Sequence, residues 1–165
     1  MLVPRLAVAA PVLLVATPLA SASVQPQVDP LLFFQGRTET VGTVRVIFHK
    51  PYHTRSIGQG RIEPDGSLLL VQRVQDDGKP ATQRWWRVRE TAPGRFSASM
   101  SEAVGPVAID RVGARYRFRF RLKDGNMIGE QYLTPLPGGR AALSNLKVKK
   151  MGITVATTDG IVRKV

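Results

Sequence analysis

Few residues in this chain have the types and spacing for chemistry. His49 and His53 stand four apart in "FHKPYHT", which on a helix would set two metal-ligating imidazoles on one face. Pro51 lies between them and breaks such a helix, and no glutamate follows His49 as the zinc-hydrolase pattern requires. Two solvated histidines in a loop are expected instead, with no metal site. Asp76 and Asp77 precede Gly78 and read as a turn, not as an acid–base pair. Cysteine is absent, which removes a thiol nucleophile, thiolate metal sites and disulfides together. No phosphate loop, nucleotide fingerprint or catalytic triad pattern occurs. With no convergent acid, base and nucleophile, the expectation is a protein that is not an enzyme and uses no cofactor.

A second candidate is the stretch "ARYRFRFRLKDGN", residues 114–126. Arg115, Arg117, Arg119 and Arg121 alternate there with Tyr116, Phe118, Phe120 and Leu122. Such a composition suits single-stranded nucleic acid only if rings and cations share a surface, since bases must stack beside the charges. In a β-strand, successive side chains point to opposite faces. The rings then face a core or cavity and the four arginines face out, so nucleic acid is not expected as a partner. The outward arginines form a cationic patch for an anionic membrane surface or a protein.

The same parity places Trp86 and Val88 inside and Trp85, Arg87 and Arg89 outside. Arg84 shares the parity of Trp86, and Glu130 shares that of Ile128 and Tyr132. An inward charge is costly unless paired or matched to a ligand. Arg84 is therefore either a partner for a ligand carboxylate or phosphate or a rim residue in water. The candidate ligand-binding set is Arg84, Trp86, Tyr116, Phe118, Phe120 and Tyr132. The competing reading is that these side chains simply fill the interior, because strand parity does not measure empty volume.

The elements that must position these residues are strands. "PDG" at 64–66, "DDGK" at 76–79, "APG" at 92–94, "KDGN" at 123–126 and "LPGG" at 136–139 supply glycine where a tight turn needs positive φ. Strand-length segments lie between and around them: "TETVGTVRVIF", "RSIGQGRIE", "SLLLVQRV", "ATQRWWRVRE", "RFSASM", "ARYRFRFRL", "MIGEQYLT", "RAALSNLKV" and "GITVATTDGIVRKV". This pattern predicts an all-β antiparallel up-and-down meander of about 8–10 strands, closed into a barrel because open edges invite aggregation. Before it, Asp29-Pro30 reads as a helix cap and first turn, "LLFF" as one apolar helical turn, and Gly36 as its end.

A length of 165 residues suits one domain. The balance of 24 Lys+Arg against 12 Asp+Glu gives a formal charge of +12, a field that attracts polyanions without distinguishing among them. "MLVPR", the apolar run "LAVAAPVLLVATPLA" and Ala20-Ser21-Ala22 read as a signal peptide over residues 1–22. A linker over 23–28 and a barrel domain over 29–165 follow. The expected location is periplasmic or secreted after cleavage near Ala22.

Four stretches together resemble an uncharacterised, lipocalin-like family of bacterial envelope proteins. They are "LLFFQGRTETVG" (31–42), "DDGKPATQRWWRV" (76–88), "GRFSASMSEAVGPVAI" (94–109) and "KKMGITV" (149–155), and in order they span most of residues 31–165. The resemblance implies a calycin-type antiparallel barrel in the cell envelope and no assigned activity. Many members are lipoproteins, whereas this chain has no cysteine to carry a lipid. Lipocalins proper open with Gly-x-Trp, whereas Gly36-Arg37-Thr38 has no tryptophan. The functional expectation is an exported barrel that binds a small hydrophobic or amphiphilic molecule. The alternative is a non-catalytic structural or interaction module, fully packed, that docks through its basic face.

Overall fold

The computed structural model describes residues 28–165. The expected signal segment, 1–22, and nearly all of the expected linker, 23–27, lie outside the described residues. A single helical turn comes first, α1 (Pro30–Phe34). Asp29 caps it by accepting the Leu31 N–H at 2.8 Å, with Pro30 at its first position, where the missing N–H costs nothing.

Ten strands follow: β1 (Gly36–Val46), β2 (Tyr52–Ile62), β3 (Leu68–Asp76), β4 (Thr82–Ala92), β5 (Arg95–Met100), β6 (Ala103–Val112), β7 (Arg115–Leu122), β8 (Ile128–Pro135), β9 (Ala141–Lys150) and β10 (Ile153–Lys164). Each pairs antiparallel with the next, and β1 pairs with β10 from Thr38↔Lys164 to Val46↔Ala156. The result is a closed barrel in up-and-down order, as the spacing of turns predicts. Closure satisfies both edges that a ten-strand meander would otherwise expose.

One strand was not legible in the sequence. Gly105-Pro106 looks like a break, yet both residues lie inside β6. The register jumps there from Val104↔Arg121 to Ala108↔Arg119. This bulge lets the chain take up a proline that cannot donate to the ladder, with Gly105 at φ 72°.

The two ends of the barrel differ. At one end α1 lies across the interior, its Phe33 only 2% exposed and joined to the core with Leu68, Ala142 and Val162. Gly60 makes that approach feasible, because a Cβ there would run into the Phe34 carbonyl. At the other end the hairpins β1–β2, β3–β4, β5–β6 and β9–β10 border an opening.

Candidate ligand-binding cavity

Alternation along the strands sends one side-chain set inward, and these sets are not equal around the barrel. From β4 to β7 the inward set carries the large rings, Trp86, Phe96, Tyr116, Phe118 and Phe120, each no more than 8% exposed. Their rings meet edge to face, Trp86 with Phe118 at 6.3 Å and with Phe120 at 6.2 Å, and Phe96 with Tyr116 at 6.0 Å. Each such pair adds about 0.5–1.5 kcal/mol beyond the area it buries. Val107 and Ile109 of β6 close this side completely, at 0% and 1% exposure.

On the other side, β1, β2 and β10 turn inward mostly small residues, among them Thr40, Thr54, Ser56, Ala156 and Thr158. They leave a cavity of about 430 Å³. Its floor includes Phe34 of α1 with Leu70 and Val88, and its wall alternates hydroxyls with Val44, Leu146 and Val148. Two hydrogen bonds order the polar part of the wall. Trp86 Nε1 donates to Gln72 Oε1 at 3.1 Å, and Gln131 Nε2 donates to Ser144 Oγ at 2.8 Å. Trp86 is thus the partition, its ring stacked into the aromatic side and its N–H turned to the cavity side.

At the mouth the lining becomes charged. Arg84 Nε lies 2.7 Å from Glu102 Oε2, with side chains 33% and 41% exposed. By distance this is an ion pair, but the buried Nε–H is not directed at any acceptor. Asp76 and Tyr52 complete the rim. Lys79 sits 4.0 Å from the Tyr52 ring centre and 3.2 Å from Asp76 Oδ2. Tyr52 first and Asp76 second hold its ammonium above the ordinary lysine range.

The candidate ligand set therefore divides three ways. Arg84 and Trp86 line the cavity. Tyr116, Phe118 and Phe120 face inward as the alternation requires, but they pack into the core cluster and are not part of the cavity lining. Tyr132 is the correction. It pairs with Arg117, while its neighbour Gln131 pairs with Phe118, so Tyr132 lies outside and Gln131 inside. Its ring carries the Arg115 guanidinium at 4.4 Å. Glu130, paired with Arg119, is likewise outside. Gly129 explains the inversion: a Cβ there would strike the Phe120 ring. The true inner face of β8 thus reads Gly-Gln-Leu and looks less apolar than Ile-Glu-Tyr.

The four arginines of β7 face outward, and two of them share one carboxylate. Arg117 and Arg119 reach Asp110 Oδ2 at 3.3 and 3.0 Å. Burial pushes the Asp110 carboxyl up, but its bonds to Arg117 and Arg119 outweigh this and hold it below the usual carboxylate range. Arg117 is raised in turn, chiefly by Asp110. Arg121 is exposed. The histidines belong to neither surface: His49 Nδ1 meets the Ile47 carbonyl at 2.9 Å, and His53 Nδ1 lies 3.5 Å from Thr43 Oγ1.

The residues that sequence reasoning missed are the small ones, Thr40, Thr54, Ser56 and Thr158, and the two amides Gln72 and Gln131. Their signal was present as a deficit. Inward positions of β1, β2 and β10 carry threonine, serine, alanine, glycine and valine where β7 carries rings.

No family model and no curated protein matches the sequence. Among solved structures the barrel is similar to an S-type phycobiliprotein lyase from Guillardia theta, with a TM-score of 0.57 and 10% identity, over 82% of this chain and 90% of that chain. At that identity the likeness establishes the fold, a lipocalin-like barrel. It also overturns the expectation that the chain is not an enzyme. The neighbour is by its name a lyase, so a barrel of this form is compatible with catalysis. Missing triads and metal motifs do not argue otherwise, because a cavity with a few placed polar groups carries no linear signature.

Proposed function

We propose that the barrel holds a small amphiphilic molecule, its apolar part in the hollow side and an anionic or strongly hydrogen-bonding head at the mouth beside Arg84. The carrying observation is the cavity of about 430 Å³, within the roughly 300–1,000 Å³ that ligand pockets occupy. The wall supports an amphiphile over a pure hydrocarbon: hydroxyls and the Gln72 and Gln131 amides alternate with valines and leucines. Arg84 supplies the cation, and its undirected Nε–H is a donor that a ligand oxygen takes up in exchange for part of the Glu102 contact. The lyase with the same barrel supports a held and chemically handled ligand over an inert, fully packed barrel.

Residues 1–22 and the four stretches that resemble the bacterial envelope family support the cell envelope as the place where this happens. Fractionation of expressing cells checks the location, with the processed chain expected in the periplasm or medium.

Native mass spectrometry of the purified protein tests the binding. A co-purified mass of a few hundred daltons is expected, lost on Arg84→Leu for an anionic amphiphile and retained on Arg121→Leu. A changed ligand mass after incubation reads turnover in the same experiment. Equal binding of anionic amphiphiles by wild type and Arg84→Leu would sink the assignment of the head-group site.

A further inference from the structure

Two hairpin tips at the open end carry side chains that neither core nor cavity uses. In the β1–β2 turn Phe48 is 99% exposed and Ile47 44%; in the β9–β10 turn Met151 is 92% exposed, and Ile153 at the start of β10 66%. The tips are neighbours, because β1 pairs with β10 and the Ile47 N–H donates to the Val155 carbonyl at 3.0 Å.

The backbone makes these residue choices costly. Phe48 and Met151 have φ of 62° and 50°, in the left-handed region that glycine, asparagine and aspartate enter cheaply and bulky apolar residues do not. Lys150 pairs with Ile153, so Met151-Gly152 is a two-residue turn whose first position favours Asn, Asp or Gly. Asn126, the remaining non-glycine with positive φ among the described residues, follows that preference. A side chain that is both conformationally costly and almost wholly in water contributes nothing to the folded chain by staying there.

Charge completes the pattern. Lys50, Lys149 and Lys150 flank the two tips and are exposed, and none of them joins an ion pair among the described residues. Protruding apolar tips ringed by lysine match a fluid anionic surface. It offers phosphates to the lysines and hydrocarbon to the tips, and it needs no complementary pocket.

We propose that the barrel docks mouth-first on an anionic lipid surface, with Phe48 and Met151 entering the headgroup–acyl boundary and Lys50, Lys149 and Lys150 meeting lipid phosphates. This surface is distinct from the arginine face of β7, where Arg117 and Arg119 share the Asp110 carboxylate. It does not depend on what the cavity holds.

The test is co-sedimentation of the protein, as purified after any processing, with vesicles of phosphatidylcholine and phosphatidylglycerol, against vesicles of phosphatidylcholine alone. Wild type is expected on the mixed vesicles, released by salt, and scarcely on the neutral ones. Phe48→Ser with Met151→Asn is expected to weaken binding at least ~10-fold, and replacing Lys50, Lys149 and Lys150 by Gln to weaken it about 5-fold per lysine. Arg115→Gln with Arg121→Gln should retain binding. Met151→Asn alone should raise Tm, which shows that the variant is folded and that methionine is kept at a cost. Undiminished vesicle binding by the tip variant overturns the proposal. So does wild type that ignores anionic vesicles but captures a protein partner through the tips, or loss of binding confined to the arginine variant.

Discussion

The two sides of this barrel are built by the same rule and come out opposite. From β4 to β7 the inward positions hold Trp86, Phe96, Tyr116, Phe118 and Phe120, and the space between strands is full. Across the axis, β1, β2 and β10 turn in threonine, serine, alanine and valine, and about 430 Å³ stays open. Backbone geometry does not make this difference, since both sides are antiparallel ladders in one closed sheet. Side-chain volume does. A ten-strand barrel encloses more space than medium-sized side chains fill from every wall. Concentrating the bulk on one side therefore leaves the other hollow. Trp86 stands at the boundary, packed on two phenylalanines and hydrogen-bonded to Gln72.

The largest effect is expected on the full side. Phe118→Ala removes a ring that is 7% exposed and should cost about 3–5 kcal/mol, read as a lower urea midpoint; a loss below about 1 kcal/mol would mean that this side is not close-packed. Next, Gly129→Ala pushes a methyl into the Phe120 ring and should cost about 1–3 kcal/mol by overpacking, read by the same denaturation. The hollow side should respond differently to added bulk. Thr158→Leu has open volume to enter, so it is expected to change stability by less than about 1.5 kcal/mol while reducing the co-purified ligand. An overpacking penalty equal to that of Gly129→Ala would erase the contrast between the sides.

The smallest effect belongs to the outer surface. Asp110→Asn frees Arg117 and Arg119 and should cost less than about 1 kcal/mol near neutral pH, because the pair is solvent-screened. Since the folded carboxyl is depressed, its contribution is present above pH 3.8 and lost as pH falls through its lower folded value. Thermal melts of wild type and variant should therefore converge only below pH 3.8.

Legibility in the sequence followed side-chain contrast. The faces of β7 were readable because rings and arginines alternate without exception from Arg115 to Arg121. In β8 both parities mix apolar and polar residues, so alternation alone puts Tyr132 inside, whereas it lies outside beside Arg117. Gly129 is inward for the sake of Phe120, a residue on another strand, and nothing local announces that requirement. In β6 a Gly-Pro step hid a strand that a bulge preserves. The cavity wall was least visible, because threonine and serine on a strand carry no signal until the residues opposite are known.

By itself the sequence determined the local choices: turns wherever glycine permits positive φ, strands between them, an Asp-capped helical turn, and outward arginines on β7. Each depends on the conformational and solvation preferences of neighbouring residues. Tertiary structure alone decided the pairing of β1 with β10, the inward face of β8, the meeting of Arg84 with Glu102, and above all the hollow. A cavity is the volume enclosed by strands far apart in the chain minus the side chains they contribute, and no single segment carries that difference.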